Sequence, residues 1–326
     1  MKMKKLLKVV LISLASLISL VIIVVLVIAS LERVIYSEFF SNSKEIVSIN
    51  GLEEGFVPQG FTYSPQEDVF LSSGYLVDEA SRIYVSEVDN SSSKYVSLVN
   101  EDDTPFLGHC GGIGVYYDTV YVACDDKDYN KVYTFSLSDI INSENGSKVK
   151  VNSEKELDIN PAYICVYNQT LLIGEFYKEG SQYLTDESHH LETSSGETNF
   201  ALCYAFKLNE ETQDTSWEID YVLSLPEKVQ GLAVLNDNQI AISTSWSIFS
   251  SNLFIYDSVF DKADTYQEND LYYLDQGHLS KTISMPPMSE EIQVYNDMLL
   301  VNFESACKKY RFVNIYRQTM VWGYKF

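Results

Sequence analysis

The stretch "KVQGLAVLNDNQIAISTSW", residues 228–246, decides the fold. A Gln-Gly pair leads into an apolar run, a polar turn rich in Asn and Asp, and a second run of β-branched residues, which is the pattern of a β-hairpin. A helical reading fails, because the apolar positions alternate with a period of two and the residue types favour strands. The same plan recurs in "PQGFTYSPQEDVFLSSGY" (58–75), "CGGIGVYYDTVYVACDD" (110–126), "PAYICVYNQTLLIGEFY" (161–177) and "SEEIQVYNDMLLVNFES" (289–305). The aligned positions Gly60, Gly112, Tyr163, Gly231 and Glu291 recur about every 50 to 70 residues, the range of propeller blades with insertions.

Further strands follow each hairpin. "SRIYVSEV", "KVYTFSL", "ALCYAFKL" and "SNLFIYD" read as third strands, and "KYVSLV", "KELDI", "YVLSLP" and "KTISMP" as fourth strands. In the fifth repeat "CKKYRF" reads as the third strand, and "KEIVSI" (44–49), just before the first repeat, supplies a fourth strand that closes the ring. Closure removes open sheet edges inside the circle. The tail "NIYRQTMVWGYKF" is the alternative source of the outer strand, and extra strands would make a sixth blade. The expected fold is therefore all-β, a five-bladed, alternatively six-bladed, β-propeller. In the first strands Phe61, Ile113, Ile164, Leu232 and Ile292 form one apolar row and Tyr63, Val115, Val166, Val234 and Val294 the next. The small residues Thr62, Gly114, Cys165 and Ala233 lie between them, on the face where a neighbouring blade approaches.

The chain has 326 residues, 46% of them hydrophobic, enough for a large core. Residues 1–8 are a basic segment with four lysines, and Val9–Ser30 carries no charge. A helix of that length spans roughly 33 Å, the thickness of a bilayer's hydrocarbon layer. The run is longer than a signal peptide's apolar region and lacks an A-x-A site, so it reads as an uncleaved transmembrane anchor, with a cleaved signal as the competing reading. The lysines before it place the N-terminus in the cytoplasm. This gives a single-pass protein of the cell membrane with a linker over 31–43 and an extracellular propeller over 44–326.

The formal charge is −23, and without the four N-terminal lysines it is −23 − 4 = −27. Such a surface repels phosphate backbones, so no nucleic-acid partner is expected, and it favours cations or basic partners. Cys110, Cys124, Cys165, Cys203 and Cys307 lack zinc spacing. Cys110 and Cys124 face each other across a hairpin and are the best disulfide candidates.

Starts of first strands and ends of second strands share one rim of a propeller. That rim gathers Gln59, His109, Gln230, Glu290 and Glu291 with Asp125, Asp126, Glu175, Trp246 and Glu304. Gln59, His109, Gln230 and Trp246 are the ligand-binding candidates, for an unknown small molecule, glycan or protein. Glu290 or Glu291, with Glu304 and His109, are the catalytic candidates as an acid and base couple. The insertion 178–200 joins two strands of the third blade and hangs over the same face, either as a lid or as an acidic surface loop. His189 and His190 within it are adjacent and point apart. "DKDYN" (126–130) begins like a calcium loop, but Lys131 and Leu137 stand where Gly and Glu are needed. No cofactor is certain; a looser calcium site from Asp125, Asp126 and Glu175, with Glu290 or Glu304, stays open. No nucleophile elbow, H-E-x-x-H helix, phosphate loop or dinucleotide fingerprint is present.

The combination "PQG", "GHCGG", "VQG", "PPMSEEI" and "FESACKKY" resembles bacterial extracytoplasmic β-propellers without a known activity, over about residues 50–312. More distantly the chain is similar to gluconolactonase-type lactonases, but Gln59 stands at their acidic metal position, which counts against their calcium site here. It is also similar to five-bladed glutaminyl cyclases, which open a repeat with Gln-Gly and use a later acidic segment like "SEEI". The expected function is a membrane-anchored extracellular module that binds a ligand or partner at its rim. The alternative is a hydrolase, lactonase-like or cyclase-like enzyme using carboxylates at the propeller's central channel.

Overall fold

The computed structural model describes residues 2–125, 128–236 and 238–326, and their strands form five antiparallel four-stranded blades. Blade 1 runs Val57–Ser64, Val69–Leu76, Glu79–Glu87 and Ser93–Val99, and blade 2 runs Gly112–Tyr116, Thr119–Cys124, Lys131–Ser136 and Ser153–Lys155. Blade 3 is Pro161–Tyr167, Thr170–Glu175, Ala201–Asn209 and Asp214–Leu225; blade 4 is Val229–Asn236, Gln239–Thr244, Ser251–Asp257 and Leu279–Met285. Blade 5 takes Ser289–Tyr295, Met298–Phe303 and Met320–Tyr324 from the end of the chain and Ser43–Ser48 from its beginning. The ring is thus closed by pairing strands from the two ends, with Val47 opposite Val321.

Three details differ from the sequence reading. "CKKYRF" forms a turn rather than a strand, and the third strand of blade 5 is "MVWGY". The reason is local hydrogen bonding: the Glu304 and Cys307 carbonyls accept the Cys307, Tyr310 and Arg311 amides within the turn, which takes these groups away from a ladder. In blade 2 the outer strand is short and precedes most of "KELDI". Cys110 and Cys124 do meet, with the Cys110 amide donating to the Cys124 sulfur at 3.3 Å, but both are free thiols. Two additional strands lie parallel on outer edges, Lys148–Lys150 on blade 1 and Asn269–Tyr273 on blade 3. They cover edges that would otherwise be open.

The five first strands line the axis, and their backbones approach so closely that side chains are excluded at set points. A Cβ on Gly112 would lie 2.4 Å from the Tyr163 Cα, and one on Gly231 would lie 2.7 Å from the Glu291 Cα. Phe61, Ile113, Ile164, Leu232 and Ile292 are all buried, while Tyr63, Val166 and Val294 of the next row are only partly covered. Hairpin turns take the left-handed conformation at Asp68, Asn168 and Asn296, where these residue types cost least.

The N-terminal helix, Lys2–Ser30, continues an apolar stretch that reaches Ile35 and is long enough to cross a membrane, with none of it buried. Residues 31–43, read above as a linker, carry two short helices, Glu32–Ile35 and Ser37–Ser41, that pack onto blades 4 and 5. Phe39 is fully buried, stacked on Tyr324 at 6.1 Å and edge-on to Phe303 and Trp322. Burial of one such ring contributes about 1.5–3 kcal/mol. The Tyr36 hydroxyl bonds that of Ser250 at 3.0 Å, and Gln318 Nε2 donates to Glu32 at 2.5 Å.

Candidate functional site

Bulges at the entrances of the first strands position the site. Register shifts fall between Pro58 and Phe61, Pro161 and Tyr163, Val229 and Gly231, and Ser289 and Ile292. A bulge breaks the in-out alternation and re-aims side chains. Gln59, Gln230, Glu290 and Glu291 all sit in these bulges. Glu290 and Glu291 therefore serve two different places.

Glu291 turns onto the propeller axis. Its Oε2 accepts the Phe61 amide at 2.6 Å and the Ile113 amide at 3.0 Å, while Oε1 accepts the Ile164 amide at 3.0 Å. One carboxyl from blade 5 thus ties together the inner strands of blades 1, 2 and 3. Burial raises this carboxyl above the usual range, and the three amides pull it back. It lies outside the cavity and is a structural group.

Glu290 faces a cavity of about 530 Å³ at the rim, together with Gln59, His109, Asp125, Gln230, Trp246 and Glu304. Glu290 hydrogen-bonds Glu304, and its carboxyl is pushed well above the usual range by burial first and then by the Glu304 charge. Burial likewise pushes Glu304 up to about 7, against the lowering effects of His109, Gln59 and Lys309. Gln59 Nε2 donates to Glu304 Oε2 at 2.8 Å, and the Gln59 carbonyl accepts from Asn302 at 3.1 Å. The His109 Nδ1 lies 3.1 Å from Asp125, and its ring packs edge-on to Tyr75. Two carboxyls that share a proton can take up a cation by releasing that proton, or can exchange protons with a bound molecule.

Three lining residues are not among the candidates the sequence offers. Tyr75 is next to last in the second strand of blade 1, and Lys309 and Tyr310 come from the turn after blade 5's second strand. Lys309 donates to the Tyr75 hydroxyl at 2.5 Å and lies over both tyrosine rings at 5.0 Å. Burial raises both tyrosines, so they stay protonated. Phe176, Tyr183 and Trp246 make the opposite, aromatic wall, with Trp246 and Phe176 stacked at 6.2 Å. Ser247 and Met288, which line the cavity, are non-glycine residues with positive φ. Such conformations cost roughly 1–2 kcal/mol each and persist only where the surroundings hold them.

Glu175 is not part of this cavity. It accepts the Asn160 and Leu202 amides and contacts His189 Nδ1 at 2.9 Å. His189 thereby pins the insertion 178–200 to blade 3. His190 turns to Thr185 and the Tyr177 ring. Ser194 and Ser195 of the insertion bond Asp275, in the loop between the edge strand Asn269–Tyr273 on blade 3 and Leu279–Met285 of blade 4, and Tyr183 is the insertion's contribution to the cavity. Asp125 and Glu175 are held by different histidines, Asp126 lies outside the described residues, and no group of three His, Cys, Asp or Glu among the described residues is arranged to hold a metal ion.

No family model matches the chain, and no curated protein sequence does. Among solved structures the chain is similar to a chain of hydrazine synthase from Kuenenia stuttgartiensis, at 10% identity and a TM-score of 0.36, covering 76% of this chain and 61% of that one. It thus spans less than two thirds of that chain's length. It is also similar to a chain of a nidogen/laminin complex, at 10% identity and a TM-score of 0.40, covering 76% of this chain and 73% of that one.

Proposed function

We propose that the chain is a membrane-anchored extracellular propeller that binds a ligand with a cationic group in the rim cavity. The observation that carries this reading is the Glu290–Glu304 pair, protonated in part and set between aromatic walls. Aromatic faces and carboxylates together are the environment that favours organic cations. The acidic surface raises the local concentration of such ligands. Gln59 orients Glu304, and His109 with Asp125 forms the cavity's polar side. Tetramethylammonium titrated into the detergent-solubilised full chain tests this through quenching of Trp246, with Trp246→Phe as the control. Binding that weakens at least tenfold in Glu304→Gln supports the reading, and equal binding in both chains refutes it.

The near-neutral carboxyl of Glu304 favours a second reading, an acid and base couple with Glu290 in a lactonase-like or cyclase-like reaction. Turnover of a lactone or of a peptide with an N-terminal glutamine, abolished by Glu304→Gln, distinguishes it from simple binding.

A further inference from the structure

Outside the N-terminal helices, nine large apolar side chains are exposed among the described residues, and five of them fall in two short loops. Ile248 and Phe249 follow Trp246 in blade 4; Phe312, which is 84% exposed, Val313 and Ile315 follow the turn after Glu304 in blade 5. Singly exposed apolar residues are ordinary, but a cluster on one side marks an interface.

Both loops flank the end of the N-terminal helix. Tyr36, directly after the apolar stretch, bonds Ser250 in the first loop and packs edge-on to Tyr316 in the second at 5.6 Å. Arg33 lies over the Phe40 and Trp322 rings, and Glu32 accepts from Gln318. These contacts leave no free linker between helix and propeller. When Val9–Ser30 fills the hydrocarbon layer, residues 31–36 fall in the headgroup layer, and the two loops are held at the same depth.

Charge supports the same placement. The chain carries 23 basic against 46 acidic residues, yet Lys308, Lys309, Arg311 and Arg317 fall within ten positions, interleaved with Phe312, Val313 and Ile315. Basic residues beside exposed aromatic and aliphatic side chains are the composition of a segment lying at a lipid headgroup layer. The cavity lies beside them: the exposed Ile248 and Val313 line it, together with Lys309 and Tyr310.

We propose that the loops 247–250 and 312–316 sit in the headgroup layer of the bilayer that the N-terminal helix crosses, so that the carboxyl-lined cavity opens onto the membrane and takes an amphiphile with a cationic head from the lipid. This rests on the anchored, cation-binding reading above. The head meets Glu290 and Glu304, and the apolar chain leaves between Ile248 and Val313 toward the bilayer.

The test uses the full chain in phosphatidylglycerol vesicles, whose headgroup carries no cation. Because all five native cysteines are buried, a bimane label goes selectively onto Phe249→Cys, Phe312→Cys or, as a control on the far rim, Glu211→Cys. Lipids brominated on the acyl chain should quench the first two labels about twofold or more and leave the third unchanged. In a second arm, the double variant Phe249→Ser/Phe312→Ser should bind vesicle-borne dodecyltrimethylammonium roughly tenfold more weakly while binding tetramethylammonium from water like the parent. If the parent chain fails to bind tetramethylammonium, the cavity reading falls and the amphiphile with it. If the parent binds it, and the labels are unquenched or the double variant binds both probes like the parent, the membrane-facing cavity alone is overturned.

Discussion

Glu290 and Glu304 are hydrogen-bonded to each other across a single hairpin of blade 5, and both carboxyls face one cavity. Like charges this close cannot both ionise without large cost, so the pair retains a proton that an exposed pair would lose. Stability, ligand choice and pH response all follow from that proton.

Replacing Glu290 with Gln keeps a donor toward Glu304 and removes a group that resists ionisation. The variant should melt about 2–4 °C higher than the parent at pH 8 and equally at pH 5. A lower melting temperature at pH 8 would show that the charged pair is itself stabilising.

The parent chain should lose stability as pH rises. Both carboxyls have folded-state values above the ordinary one, Glu304 at about 7, so their contribution is complete below about 4.5 and lost as pH climbs through the folded values. His189 acts in the same direction. Burial lowers it, but the hydrogen bond and charge of Glu175 outweigh this and raise it, so its contribution is present below about 6.5 and lost above. Urea unfolding at pH 5.5 and pH 8 reads the difference, and a midpoint that is higher at pH 8 is the contrary result.

Glu291→Ala should be among the most damaging substitutions in the chain. It leaves the Phe61, Ile113 and Ile164 amides buried without acceptors, at about 1–3 kcal/mol for each amide. A chain that folds with unchanged urea midpoint would show that water replaces the carboxylate on the axis.

Phe39→Ala tests whether residues 31–43 belong to the propeller. Loss of a fully buried ring should cost about 3–5 kcal/mol, against a few tenths for substitution in a free tether. Thermal melting distinguishes the two.

Much of this architecture is written locally. The opening stretch shows a hairpin by alternation alone, and Gly231 marks the place where two backbones meet. The closing strand 44–49 was legible because it repeats the pattern of the other fourth strands. Alternation stops being informative at the bulges, and there it could not say which of Glu290 and Glu291 faces the cavity. Tyr310 and Phe312 resemble strand residues, so the local pattern points to a strand over 307–312, while the turn there is fixed by contacts that pattern does not carry: Tyr310 against Tyr75 and Arg311 on Glu53. Average charge also hid the basic segment 308–317, since its lysines and arginines are few against a net −23.

The most direct test of the shared-proton cavity is calorimetric titration of tetramethylammonium into the full chain at pH 6, in two buffers of different ionisation enthalpy. The Glu290–Glu304 pair should release close to one proton per cation bound, and the affinity should rise roughly tenfold between pH 5.5 and pH 7.5. Binding with no proton release and an affinity independent of pH would contradict the account.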